Sequence, residues 1–272
     1  MGKLHYFLGI QVIRTSDGGL LMTQSKYVKD LLAKAGMSGC KSCSTPLPSS
    51  LKIQATGGPE FENPHLYRSV VGSLQILRYV SGSATFGLKL HKDPSMKLTA
   101  YCDSDWAGDP SDRKSIRGFC VYMGRNLVSW QSKKQGVVAR SSTEAEYRAL
   151  ADLVAELVWI KSLLGELKWP VHEAPMAYCD NQSDVLLAAN PILHSKAKHF
   201  EIDLHFVRDH VTSKTVQVSH VPSTVQIADT LTKALPSSAF LDLRNKLNVQ
   251  NLPNSAPLSL RGHDTRNGDE DT

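Results

Sequence analysis

Four acidic sites in this chain of 272 residues stand out by position, each near the end of an element, and together they could do phosphodiester chemistry. Asp103 and Asp105 end a strand-like run that begins at Leu98. Glu146 lies near the start of the longest helical pattern, Asp180 ends Tyr178-Cys179-Asp180, and Asp229 sits in Ile227-Ala228-Asp229-Thr230-Leu231. Carboxylates brought together without a partner repel one another and have their pKa values pushed upward. A hard divalent cation such as magnesium removes that conflict, because it takes a few carboxylates together with water. Two such ions can activate a water and stabilise the leaving oxygen of a phosphodiester. Taken singly, each acid is more often a turn or cap residue, and only the four together point to this chemistry.

The elements that must position these acids can be read from periodicity. Side chains alternate along a strand, so Asp103 and Asp105 share one face while Cys102 and Ser104 take the other, and both acids stay open as the first-strand ligand. Ser141-Ser142-Thr143-Glu144-Ala145-Glu146-Tyr147 has the hydroxyls and acids that suit a helix N-terminus. Behind it Tyr147, Leu150, Ala151, Val154 and Val158 recur at helical spacing, predicting a buried face over a helix from 142 to about 167. From residue 98 the pattern reads β-β-β-α-β-α-α-β-α, with strands at 98–103, 118–123, 126–132, 176–180 and 215–221. Helices are predicted at 182–189, 200–211 and 225–234. Three consecutive strands followed by strands separated by helices predict an α/β fold, a mixed sheet covered by helices.

The first third is thinner. Residues 5–13 predict one strand, Ser16-Asp17-Gly18-Gly19 a turn and 20–23 a returning strand; 24–36 and 67–80 predict helices and 87–90 a short strand. Residues 40–63 are rich in Ser, Pro and Gly and read as a linker. Residues 1–95 hold few large core residues for an independent domain. The domain reading is therefore 1–95, 96–249, and a polar tail over 250–272 expected to be disordered.

Hydrophobic content of 41% with 21% charged residues is ordinary for a globular protein, and a formal charge of +5 suits a polyanionic partner without requiring one. Five cysteines without regular spacing do not form a disulfide framework, and the lone Cys40-x-x-Cys43 lacks the second pair that a zinc site would use. With no signal-peptide pattern and no apolar run long enough to span a bilayer, an intracellular, non-secreted setting without membrane association is expected.

Several segments together carry a resemblance. Tyr101-Cys102-Asp103-Ser104-Asp105-Trp106-Ala107-Gly108-Asp109, Ser129-Trp130-Gln131-Ser132-Lys133-Lys134-Gln135, Ser141 to Tyr147, Cys179-Asp180-Asn181-Gln182, Lys198-His199-Phe200-Glu201-Ile202-Asp203 and Ala228-Asp229-Thr230-Leu231-Thr232-Lys233 occur in this order over about 98–248. The series resembles the ribonuclease H domain of Ty1/copia-type retrotransposon polyproteins. That resemblance implies a ribonuclease H-like fold with a mixed five-stranded sheet, two magnesium ions (manganese as a substitute), and hydrolysis of the RNA strand of RNA–DNA hybrids. It implies Asp103, Glu146, Asp180 and Asp229 as the catalytic, metal-binding set, with Asp105 a rival to Asp103 and Glu144 to Glu146. Chain order sets it apart from transposases and integrases, where the Glu comes last. The cellular enzymes use a histidine in the loop before the last Asp; the matching loop here, 221–226, has none, and His220 just precedes it.

Ser115, Lys133, Lys134, Arg140, Asn181, Lys196, Lys198 and His199 are the candidates to hold phosphates, contacts that need carry no sequence information. His194, His199 and His205 read as packing or phosphate contacts rather than a zinc site. Upstream, Leu4-His5-Tyr6-Phe7-Leu8-Gly9-Ile10, Gln24-Ser25-Lys26-Tyr27, Tyr67 to Leu74 and Leu77 to Gly82 resemble the end of the same family's reverse transcriptase. Leu74 runs almost at once into Ile76-Leu77-Arg78-Tyr79, where the family has several tens of residues, and the polymerase Tyr-x-Asp-Asp motif is absent. The expectation is an internally deleted remnant without polymerase activity.

Overall fold

The computed structural model describes residues 5–46, 64–108, 111–169, 171–190 and 200–252, with the backbone alone for 64–69. They form two five-stranded sheets. In the first, β1 (Tyr6–Phe7), β2 (Ile10–Arg14), β3 (Leu20–Thr23), β4 (Phe86–Leu90) and β10 (Val249–Asn251) pair antiparallel in that order. The helices α1 (Ser25–Lys34) and α2 (Pro64–Gly82) lie between β3 and β4 in the chain. The single strand predicted over 5–13 is instead a hairpin. Leu8 and Gly9 both take positive φ (47° and 82°), the conformation of a two-residue type I′ turn, so Phe7 pairs with Ile10.

The second sheet carries the acids. Its order is β7 (Asn126–Lys134), β6 (Ile116–Met123), β5 (Leu98–Asp105), β8 (Met176–Cys179), β9 (Gln217–His220). The first three are an antiparallel meander, and β8 and β9 run parallel to β5. The helix α3 (Ser142–Glu166) links β7 to β8, and α4 (Gln182–Ala189) and α5 (Glu201–Thr212) link β8 to β9. This is the predicted α/β, ribonuclease H-like architecture.

Packing follows from the alternation of side chains. Tyr147, Leu150, Val154 and Leu157 of α3 are fully buried in one core with Ala100, Cys102, Phe119, Val121, Ala177 and Cys179 of the sheet. The opposite face buries Cys120 and Tyr122 against Leu247, Leu88, Val249, Ile227 and Leu231. This second cluster draws on both sheets, so they share a hydrophobic contact.

Three differences from the sequence reading lie near the C-terminus. The helix expected at 225–234 is a 3-10 turn (Ser223–Val225) and the short α6 (Asp229–Thr232), because Lys233 leaves helical geometry at φ −118° and ψ 145°. A further helix, α7 (Ser237–Lys246), buries Phe240 and Leu243, with the Phe240 ring 5.7 Å from that of Tyr79. Residues 250 and 251, placed by sequence in the polar tail, belong to β10, which gives β4 a partner along its free edge. Residues 253–272 lie outside the described residues, as does most of the 40–63 linker.

Since Leu20 to Thr23 pair with Gly87 to Leu90 across that linker, proteolysis within 47–63 is expected to nick the chain and leave the two fragments eluting together. Fragments that separate without denaturant would mark residues 1–46 as weakly docked and favour a domain boundary near residue 95.

Candidate active site

The acids meet at the C-terminal ends of β5 and β8, the edge where open α/β sheets leave a crevice. Asp103 is buried on β5, Asp180 follows β8, and Asp229 opens α6. One carboxylate oxygen from each lies within 4.8 Å of the others. Glu146 joins them from the first turns of α3, half-buried, close enough to Asp180, Asp103 and the Asn181 amide for each to act on its carboxyl. The helix is fixed there by its cap, in which the Ser141 hydroxyl accepts from the Glu144 N–H at 3.1 Å. The Glu144 carboxylate accepts in turn from the Arg140 N–H at 2.9 Å and pairs with Arg148 at 3.0 Å. Glu144 is thus a capping residue, buried and turned to its own helix.

The two first-strand acids are also separated by position. Asp105 lies at the very end of β5, with its carboxylate against Gly108; a Cβ on Gly108 would fall 1.8 Å from its Oδ2. That carboxylate is not among the three whose oxygens gather within 4.8 Å, although it lies close enough to feel the Asp103 charge.

The electrostatics are those of like charges held together. Burial first, and then the Asp180 carboxylate, push Glu146 up to about 7, against the Asn181 hydrogen bond. Burial raises Asp229, with the Lys233 hydrogen bond opposing it and Asp103 adding to it. Asp105 is raised by burial and by Asp103. Lys233 is the internal counter-charge: its Nζ lies 3.0 Å from Asp103 Oδ1 and 2.7 Å from Asp229 Oδ1. Burial pulls the ammonium's pKa down, but the two carboxylates outweigh it and the net shift is upward.

Sequence reasoning quoted Lys233 within a motif and gave it no role. An acid and a lysine at i, i+4 are an ordinary helix pair, and its link to Asp103 is 130 residues long. Two hydroxyls were also missed. Thr232 Oγ1 donates to Asp103 Oδ2, and Ser223 Oγ to Asp180 Oδ2 at 2.8 Å. Gln135 was missed as well: buried, its Nε2 donates to Ala145 O at 2.9 Å, just before Glu146.

The phosphate candidates divide. Lys133, Lys134 and Arg140 are exposed, and Lys134 pairs with Asp112 at 2.9 Å. Asn181 caps α4, its Oδ1 accepting from the Ser183 N–H at 2.8 Å, and its amide also acts on Glu146. Ser115 needs correction: it is fully buried and its hydroxyl accepts from the Ala107 N–H at 3.1 Å, so it shapes the loop after Asp105 and presents nothing to a phosphate. Lys196, Lys198 and His199 lie outside the described residues, with His194. His205 lies 3.8 Å from Glu201 on the exposed face of α5, and His220 is exposed at the end of β9. No described helix is long and apolar enough to cross a membrane.

No family model matches the chain. It is 41% identical to the "Retrovirus-related Pol polyprotein from transposon RE1" of Arabidopsis thaliana over 93% of its own length and 19% of the relative's. To the corresponding protein of transposon TNT 1-94 of Nicotiana tabacum it is 31% identical over 88% of its length and 21% of the relative's. The alignment to the first runs over 286 positions within a chain of 272, so that relative carries residues with no counterpart here. An "Uncharacterized mitochondrial protein" of Arabidopsis thaliana is 41% identical over 58% of this chain and 79% of its own. Among solved structures, an RNase H1 from compost in complex with an RNA/DNA hybrid is 16% identical, covering 53% of this chain and 99% of that one at a TM-score of 0.40. The chain spans about a fifth of the Pol polyproteins it matches. Across that span it belongs to the family of Ty1/copia-type retrotransposon Pol polyproteins.

Proposed function

We propose that this chain is a metal-dependent endonuclease that cuts the RNA strand of RNA–DNA hybrids, with Asp103, Glu146, Asp180 and Asp229 as its catalytic set. The observation that carries this reading is the convergence of three aspartate carboxylates within 4.8 Å, with Glu146 raised to about 7 beside them. The donor set fits magnesium: hard oxygens, no sulfur or imidazole among them, and an excess of negative charge. Magnesium or manganese, when bound, supplies the Lewis acidity that lowers the pKa of a water and steadies the leaving oxygen.

The residues of the chain prepare for this. Thr232 donates to Asp103, Ser223 to Asp180 and Lys233 to Asp229, so these three carboxylates are held before a substrate arrives. Lys133 and Arg140 add exposed positive charge, which attracts a phosphate backbone. A second reading, a silent hybrid-binding module, draws support from Lys233, because an ammonium already bridges Asp103 and Asp229.

A 5′-labelled RNA–DNA hybrid incubated with the purified full chain decides between them. Cleavage of the RNA that needs magnesium and stops with EDTA is expected; binding without cleavage would establish the silent module. In the same assay Asp103→Asn is expected to cost at least about tenfold more activity than Asp105→Asn, a loss of about 1.4 kcal/mol more of transition-state stabilisation. The reverse ranking would move the first-strand ligand to Asp105.

A further inference from the structure

Asp229 stands on weak foundations. Its helix α6 has four residues and no side-chain N-cap, far below the length at which a helix is stable alone. Its neighbours hold it instead. Gly118 lets it approach β6, since a Cβ there would lie 2.9 Å from Leu231 Cβ and 3.0 Å from Thr232 Cγ2. Ser132 Oγ donates to Leu231 O at 2.6 Å.

Thr232 and Lys233 tie it to Asp103, and a further support is Gln226, which is 1% exposed. Its Nε2 donates to Cys102 O at 3.0 Å, and its Oε1 accepts from the Ala228 N–H at 3.2 Å. Those two groups belong to the residues immediately before Asp103 and immediately before Asp229. One planar amide thus ties the backbone that carries one carboxylate to the backbone that carries the other. A buried amide satisfied at both ends is worth keeping only in that geometry, because either bond lost leaves a buried polar group unpaired.

We propose that Gln226 is a positioning residue for the acidic cluster, one that fixes the separation of Asp103 and Asp229 and thereby sets the affinity of the site for divalent cations. The inference rests on the metal-binding reading above. Outer groups that orient metal ligands are commonly worth ten- to a hundredfold in affinity, roughly the effect expected here. Lys233 masks the fault in the absence of metal, because its flexible stem can bridge the two acids over a range of separations.

The test uses the full chain as wild type, Gln226→Met, which keeps length and burial but loses both hydrogen bonds, and Gln226→Glu, which keeps only the acceptor for Ala228. Mn2+ binding is read directly by electron paramagnetic resonance of the free ion, alongside thermal melts in EDTA and hybrid cleavage against magnesium concentration. Both variants are expected to melt cooperatively and to bind Mn2+ about tenfold or more weakly. The magnesium needed for half-maximal cleavage should rise by a similar factor, with most of the rate recovered at saturation. Mn2+ affinity unchanged in folded variants would overturn the inference, as would failure of both variants to fold, which would make Gln226 a determinant of the fold itself. A wild type that binds Mn2+ without cleaving counts against the proposed activity alone and leaves the Mn2+ arm to decide the role of Gln226. A wild type that binds no Mn2+ overturns both.

Discussion

Replacing Glu146 by Gln, or Asp180 by Asn, is expected to abolish magnesium-dependent hybrid cleavage while leaving hybrid binding largely intact. Each change keeps the shape of the side chain and removes one charge from a cluster in which burial and the neighbouring carboxylates raise Glu146 and Asp229. Changes to groups that merely orient metal ligands cost about ten- to a hundredfold, so loss of a ligand should exceed about a hundredfold. Both variants should also fold at least as well as the wild type without metal, because each relieves repulsion that the folded chain otherwise bears. On the proposed function, binding draws on exposed cations such as Lys133, which neither change touches, and one fewer negative charge favours the approach of a polyanion. Activity within a few-fold of wild type in either variant would sink the assignment of the cluster.

What the sequence disclosed here, and what it withheld, follows from the range of the interactions. The cap at Ser141 and the apolar spacing behind it are local, and α3 begins and ends within a residue or so of its predicted bounds. The acids were legible because each ends an element, and the resemblance fixed their order. The supports of the cluster were not legible. Lys233 to Asp103 spans 130 residues, Thr232 to Asp103 129, and Gln226 to Cys102 124. No periodicity reports contacts of that length. Ser115 failed for the opposite reason: a serine in a polar loop looks like a ligand group until its burial is known. The strand β10 escaped notice because three polar-flanked residues make a strand only when β4 offers them an edge.

The second large effect expected is a gain in stability from Asp184→Leu. Asp184 stands in the first turn of α4, where a carboxylate ordinarily profits from the helix dipole by about 0.3–1 kcal/mol. Here it is 0% exposed, and among the described residues neither oxygen has a hydrogen-bond partner. Burial first, and then the charges of Glu146 and Asp180, push it up to about 9 from 3.8, so at neutral pH it is a neutral acid and gains nothing from the dipole. The Tyr147 hydroxyl, also buried without a partner, lies within its electrostatic reach.

The sign of the linkage is definite. Between about pH 4 and pH 9 the folded chain holds a proton that the unfolded chain releases, so this residue lowers stability progressively as pH rises through that window. At pH 7 the penalty is on the order of 4 kcal/mol as an upper figure, at about 1.4 kcal/mol per pKa unit. Leu keeps the branching at Cγ, needs no partner, and joins a helix whose Val185 and Leu187 already pack against the apolar core. A gain of about 2–4 kcal/mol is expected, which for a chain of this size raises Tm by roughly 5–10 °C. The stability of the wild type should also fall more steeply than that of Asp184→Leu from pH 5 to pH 9 in urea unfolding. Glu146 slopes the same way in both proteins, so the difference between the two curves isolates Asp184. Parallel curves, or a Tm lowered by the substitution, would mean that Asp184 is ionised and paired in the folded chain, and that its burial serves the cluster beside it.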